Sequence, residues 1–333
     1  MTQNSPTQSP RIMKTLGFGV EIELAEITKS RMLKAIQSVV PGDIVQRRNS
    51  QGGRSCGVEA HADGRVWFAM LDPSIYSRNG EGAELVTPIL KFNDIETLQE
   101  ILRACRNGGR HFRNGDACAE VNKSCGIHIH VGTETMTIGA IKRFIKQVSK
   151  FEAVMHAALQ IHPERIDDGY GRGYCRPIRS DIVAGIDKIK SLDDLNKAVF
   201  RRSYVVSRPE HYCDERYDGC NLVNIWRIGT IEGRWFNSTT HAGVLKAYIQ
   251  LMLAMAEKAI ISTRGSSKRR EVTAGNVKFA ARTFLSQHLK LNGPEFKTCR
   301  KHLTDHLEGN GAWVHGSAPT LDAAAEEANA WAA

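Results

Sequence analysis

The stretch Gly17-Phe18-Gly19-Val20-Glu21-Ile22-Glu23-Leu24 alternates apolar and acidic residues. That period of two is the signature of a β-strand, and it sends Glu21 and Glu23 to one face and Val20, Ile22 and Leu24 to the other. The apolar face calls for a core. The acidic face is ordinary if it meets water; if it lines a cleft, two carboxylates one pleat apart need cations, Arg or Lys to offset them.

Three later segments repeat the peculiarity. Glu84 sits in Gly82-Ala83-Glu84-Leu85-Val86-Thr87-Pro88, and His128 and His130 share a face in Cys125-Gly126-Ile127-His128-Ile129-His130-Val131. Glu232 and Arg234 do the same in Thr230-Ile231-Glu232-Gly233-Arg234-Trp235-Phe236, with Ile231 and Trp235 opposite. Taken singly, Glu-x-Glu and Glu-x-Arg strands are more often solvated faces with cross-strand pairs. Taken together, carboxylates and imidazoles on one sheet face make an oxygen-rich site of the kind that suits Mg²⁺ or Mn²⁺. Arg234 adds a planar fork matched to a carboxylate or phosphate.

The chain around these strands is built to fold. It has 333 residues, 41% of them hydrophobic, enough for a large core. Its formal charge of +9 reads first as a soluble surface with a mild basic bias, and more sharply as a surface for an anionic partner. The basic clusters, such as Lys268-Arg269-Arg270, lack the aromatic interleaving of RNA-binding motifs, so nucleic acid is not the expected partner. None of the eight cysteines forms a Cys-x-x-Cys pair, which argues against structural zinc. The first residues have no apolar signal core, and no run reaches the roughly 18 apolar residues that span a membrane. The expectation is free thiols in the cytoplasm.

Periodicity predicts helices at Ser30–Val40, Asn93–Cys105, Ile138–Ile161, Ser191–Arg201 and Gly243–Ile261, the fourth opened by a Ser191/Asp194 capping box. Gln46–Asp63 reads as loop with room for a short strand, and Asn221–Phe236 as one or two strands. Further helices are expected at Asn276–Gln287 and Pro294–Leu307. The predicted organisation is a flexible tail (1–14), a catalytic domain (15–262) and a helical extension (263–333). Strands mixed irregularly with long helices indicate α+β, with a mostly antiparallel sheet that packs one face on helices and offers the other to a cleft.

In this order the segments resemble the amidoligase family of the glutamine synthetase and glutamate–cysteine ligase superfamily. The resemblance is carried by Gly19-x-Glu21-x-Glu23, Asp63-Gly64, Gly82–Pro88, Cys125-Gly126-x-His128-x-His130, and Arg216-Tyr217-x-x-x-Asn221 leading into Thr230–Phe236. It implies a curved, mostly antiparallel glutamine synthetase-like sheet backed by helices, with ATP and divalent metal, Mg²⁺ or Mn²⁺, in front. It implies an ATP-dependent carboxylate–amine ligase that forms an amide through an acyl phosphate. Its substrates would be an amine and a carboxylate, small or borne on a peptide or protein. By the same resemblance Glu21, Glu23, Glu84, His128 and Glu232 are expected metal ligands. His130 would contact nucleotide, and Arg234 phosphate or substrate. Arg216 and Asn221 match positions expected to meet substrate, and Asp63 is a candidate acceptor for the amine proton.

The sequence departs from the family pattern at Arg65, where Ser is expected, and at Gly233, where a bulky aromatic is expected; Gly233 should face away from the site. The rival reading is a cupin-like metal-dependent oxygenase, since His128, His130 and Glu134 have His-x-His-x-x-x-Glu spacing. Against it stand the missing second cupin motif and the long helix from Ile138. A non-enzymatic basic nucleic-acid-binding protein is the other alternative, and it predicts scattered rather than strand-paired carboxylates.

Overall fold

The structure, a computed structural model, describes residues 11–49, 53–78, 81–107, 119–167, 169, 173–309 and 311. Strand β1 (Phe18–Ala25) follows a short 3₁₀ turn at Ile12–Lys14. Residues 11–14 are held down: Met13 is fully buried and Arg11 pairs with Glu257. Residues 11–14 of the tail expected over 1–14 are therefore packed on the core, and residues 1–10 lie outside the described residues.

Helix α1 (Lys29–Gln37) begins where Thr28 Oγ1 accepts the Arg31 N–H at 3.0 Å, and it buries Met32, Leu33 and Ile36. Strands β2 (Gly42–Arg48) and β3 (Arg54–Ala60) then form a hairpin where the sequence reads as loop. Their side chains are largely polar because β2 is a sheet edge, and exposed charges such as Arg47 and Arg48 suit an edge. Strand pairing, which composition does not report, makes these residues extended. Strands β4 (Val66–Leu71) and β5 (Gly82–Val86), helix α2 (Ile95–Asn107), strand β6 (Gly126–Gly132) and helix α3 (Ile138–Leu159) come next. Thr137 caps α3 by accepting the Ala140 N–H at 3.2 Å, and Gln160 closes it in the left-handed region at φ 49°.

Two short helices, α4 (Pro163–Ile166) and α5 (Ser180–Gly185), precede α6 (Leu192–Phe200), whose Ser191/Asp194 capping box is formed as expected. Strand β7 (Cys220–Asn221) and strand β8 (Thr230–Asn237) are separated by a single helical turn, α7 (Asn224–Arg227). Helix α8 (Ala242–Ile261) is apolar almost all round and is buried among α2, α3, β6 and the C-terminal helix α10 (Lys297–Thr304). Helix α9 (Val277–Thr283) runs into a π-helical turn, Phe284–His288.

All eight strands pair antiparallel in the order β2-β3-β4-β5-β1-β6-β8-β7. This is the expected α+β fold, a curved sheet backed by helices. Val20, Ile22, Ile127, Ile129 and Leu85 face the helical layer, and one continuous core reaches from Met13 to Leu307. The change in sequence character after residue 262 is thus not a change of core: Phe284, Phe296 and Leu303 join the core that backs the sheet. Residues 312–333, with the tail or frayed helix expected from 320, lie outside the described residues. Among the described residues no helix is long and apolar enough to cross a membrane. Cys56, Cys105, Cys125, Cys175, Cys213, Cys220 and Cys299 are free thiols.

Candidate active site

Register delivers the polar face. On β1, Glu21 lies opposite His128 of β6, and Glu23 lies opposite Glu84 of β5. On the other side of β6, His130 lies opposite Glu232 of β8. Between Ile127 and Ile129 the β6–β8 register shifts, and this bulge sets Arg234 beside His128. Four separate segments thereby put their polar side chains into one cluster at the centre of the sheet.

The cluster is buried and acidic. Glu23, Glu84, His128, His130, Glu232 and Arg234 are each at least nine-tenths buried, and Glu21 is partly exposed. His128 Nδ1 lies 3.1 Å from Glu21 Oε2, and its Nε2 lies 3.8 Å from Glu23 Oε1. Glu23 also accepts the Gly126 N–H at 2.6 Å. Arg234 Nη1 donates to Glu232 Oε1 at 2.6 Å, and its Nε donates to the Tyr174 carbonyl at 3.2 Å. The other oxygen of Glu232 accepts from Asn221 at 2.5 Å and from Asn224 at 2.7 Å. His130 Nδ1 meets Thr230 Oγ1 at 3.1 Å, while its buried Nε2 lies 3.5 Å from Glu21 Oε1 and makes no hydrogen bond among the described residues.

These surroundings split the carboxylates. Burial pushes Glu84 well above the usual range, and the neighbouring charges of Glu21, Glu23 and Asp72 push it the same way. Burial also raises Glu23. Burial opposes ionisation of Glu21 and Glu232 too, but the two histidines outweigh it at Glu21, and Arg234 with the histidines outweighs it at Glu232; both are held low. Burial works against protonation of His130, yet Glu232 and Glu21 raise it. Three groups bring ligand atoms within 4.8 Å of one another and could each hold an ion: Glu21, Glu84 and His128; Glu21, His130 and Glu232; and Glu23, Asp72 and Glu84.

A narrow cavity opens beside this cluster, lined by Glu21, His130, Asn221 and Glu232 together with His211, Arg216, Asn224, Arg227 and Ile228. Arg216 is stacked between Tyr212 and Tyr217, with its guanidinium carbon 5.1 and 5.4 Å from their ring centroids.

Of the residues singled out by sequence, Glu21, Glu23, Glu84, His128, His130, Asn221, Glu232 and Arg234 come together, and Arg216 lines the cavity beside them. Asp63 does not join them. It sits on the turn between β3 and β4, where its carboxylate pairs with Arg65, which also pairs with Asp94. Arg65 thus anchors that turn. Glu134, the third member of the cupin-like spacing, is exposed just beyond β6 and belongs to none of the three groups, and the sheet is no closed barrel. Gly233 faces away from the cluster as expected: a Cβ there would lie 2.8 Å from Trp235 and 3.1 Å from Met252 Sδ.

Several residues escape a strand-based reading. Asp72 lies just past β4 in a turn, Asn224 and Arg227 lie on the helical turn α7, and His211 lies in a loop. Asn224 repeats the chemistry of Asn221 three residues on, the one signal that could have marked it. Buried Arg165 holds the sheet itself, donating to Cys125 O at 2.7 Å and Arg234 O at 3.0 Å and so clamping β6 to β8.

Comparison with protein families shows that the family described as "putative amidoligase enzyme" matches residues 14–256. A comparison with curated proteins returns no match.

Proposed function

The chain belongs to the amidoligase family, and from that premise we propose that it is an ATP-dependent carboxylate–amine ligase working on a divalent-metal platform. The observation that carries the reading is the convergence of Glu21, Glu23, Glu84, His128 and Glu232 from four sheet segments into one buried cluster, with Arg234 the guanidinium in direct contact with it. The cluster fits divalent cations for two reasons. Its carboxylates outnumber the cationic side chains that touch them, and the buried His130 Nε2 makes no hydrogen bond among the described residues and has Glu21 Oε1 3.5 Å away. Glu21, Glu23, Glu84, His128 and Glu232 would hold Mg²⁺ or Mn²⁺. Bound there, such ions would neutralise the polyphosphate and the attacking carboxylate.

The chain's own residues account for the rest. Arg216, Arg227 and His130 border the cavity in which ATP phosphates would be recognised. Arg234, fixed by Glu232 and the Tyr174 carbonyl, stabilises charge on the transferred phosphoryl group. The substrate carboxylate attacks the γ-phosphorus and ADP leaves; the amine nitrogen then attacks the acyl carbon, loses a proton and expels phosphate. The amide product is a peptide or isopeptide bond where the substrates are amino acids, peptides or proteins.

The test is ADP and phosphate release across a panel of acids and amines. Glu23→Gln should abolish turnover with an unchanged circular-dichroism spectrum. Wild-type turnover in that variant would refute the metal assignment, and AMP release would refute the acyl phosphate.

A further inference from the structure

The acidic platform has a second opening, away from Arg216 and Arg227. It is a wide cavity lined by Thr28, Lys29 and the run from Leu71 to Ser77, closed by Glu81 and Gly82. Asp72 joins this cavity to the platform, since its carboxylate lies within 4.8 Å of ligand atoms of Glu23 and Glu84. Ser74 N–H binds Asp72 Oδ1 at 2.8 Å, and Oδ2 makes no hydrogen bond among the described residues. Glu84, behind it, is 6% exposed and has no hydrogen bond or ion pair among the described residues. Lys29 is the cationic side chain in this lining, against Asp72 and Glu81. A ligand that enters here meets two carboxylates against one ammonium, whereas the arginine-lined cavity sets Arg216 and Arg227 against Glu21 and Glu232.

The rim is apolar. Leu71 and Tyr76 are each 69% exposed, above buried Ile75. Tyr76 is not on a loose loop: its N–H donates to Ser124 Oγ at 2.8 Å and its carbonyl accepts from Asn122 Nδ2 at 2.7 Å. A large aromatic side chain on a fixed backbone and open to water, next to an under-compensated carboxylate, suits a ligand with an apolar body and a cationic end.

We propose that this opening admits the amine substrate, and that the enzyme selects a primary amine with an apolar or aromatic body and no carboxylate of its own. Asp72 holds the ammonium while Leu71 and Tyr76 cover the carbon skeleton. The amine then reaches the platform through this opening, drawn by its excess of carboxylates, apart from the cavity lined by Arg216 and Arg227. This deepens the ligase reading and rests on it.

Binding of phenethylamine to the full chain, followed by calorimetry, tests the proposal without ATP. Phenethylamine should bind, ethylamine about tenfold more weakly for want of the ring, and 3-phenylpropionate not at all. Asp72→Asn should weaken phenethylamine about tenfold, the scale of one charge-assisted hydrogen bond, and Tyr76→Ala should also weaken it. Equal binding of 3-phenylpropionate, or unchanged affinity in Asp72→Asn, overturns the proposal. Mn²⁺ binding followed by electron paramagnetic resonance should be the same in Asp72→Asn as in wild type; its loss would make Asp72 an ion ligand and overturn the amine role. The ligase reading is scored separately. ADP formation with hydroxylamine, together with phenethylamine binding indifferent to Asp72→Asn, keeps the ligase and rejects the amine site. Phenethylamine binding that depends on Asp72, with no ADP formed from any acid and amine, does the reverse.

Discussion

Glu84 lies directly across from Glu23 on the neighbouring strand, and both carboxylates are buried. Like charges placed this way repel and are costly to desolvate, so the pair weakens the ion-free sheet. In chelator, Glu84→Gln should raise stability by about 1 kcal/mol while abolishing turnover, a trade expected where function requires a strained site. The folded-state pKa of Glu84 is raised, so its stabilising contribution is complete below the ordinary 4.5 and is lost as pH rises through the folded value. The advantage of the variant should therefore grow from acidic to alkaline pH in urea titrations. A variant less stable than wild type at pH about 8 would contradict the electrostatic account.

Glu232 is aimed by two amides that share one of its oxygens. Asn224→Ala leaves Asn221 and Arg234 in place but frees the carboxylate to rotate. Removing an orienting partner of this kind costs about 10- to 100-fold in activity or metal affinity. Thermal denaturation should show little change beside that loss. Retained activity would mean that Asn221 alone fixes Glu232.

His211 lines the arginine-rich cavity, and its pKa is lowered to about 4 by burial first and then by Arg216 and Arg227. A depressed pKa means that its contribution to stability is present above the unfolded value of 6.5 and is lost as pH falls towards the folded value. Subtracting the pH–stability curve of His211→Gln from that of wild type should give a difference that declines from about pH 6.5 to 4. A flat difference would show that His211 is protonated alike in both states. At neutral pH the cavity's positive charge thus comes from Arg216 and Arg227.

Gly233 and Gly219 together make room for the Trp235 ring. A Cβ at Gly219 would lie 2.3 Å from Trp235 Nε1, and one at Gly233 would lie 2.8 Å from Cζ3. Gly233→Ala should destabilise the protein by about 1–3 kcal/mol through overpacking. Chemical denaturation reads this directly, and a neutral result would mean that Trp235 shifts freely. The aromatic expected at position 233 is therefore replaced by its neighbour's ring.

Much of the site was legible because strands have a period of two. Alternation alone placed Glu21 with Glu23, His128 with His130, and Glu232 with Arg234, and Gly233 on the opposite face. What alternation could not supply was the partner of each strand. Gln46–Asp63 reads as loop with room for a short strand because the edge strand β2 needs no apolar face, yet much of it pairs as β2 and β3. Asp63 was a candidate by motif, yet it pairs with Arg65 on a turn outside the cluster. Asp72, Asn224 and Arg227 lie in turns, where no periodicity announces the direction of a side chain.

The sequence by itself determined which residues share a face, where the long helices run and how they are capped, since these follow from local spacing and local hydrogen bonds. Tertiary structure decided that Glu23 would meet Glu84, that Glu21 would meet His128, and that a register shift would bring Arg234 beside His128. Those pairings join residues far apart in the chain. They are selected by the burial of one shared core, a sum over the whole molecule that no single stretch contains.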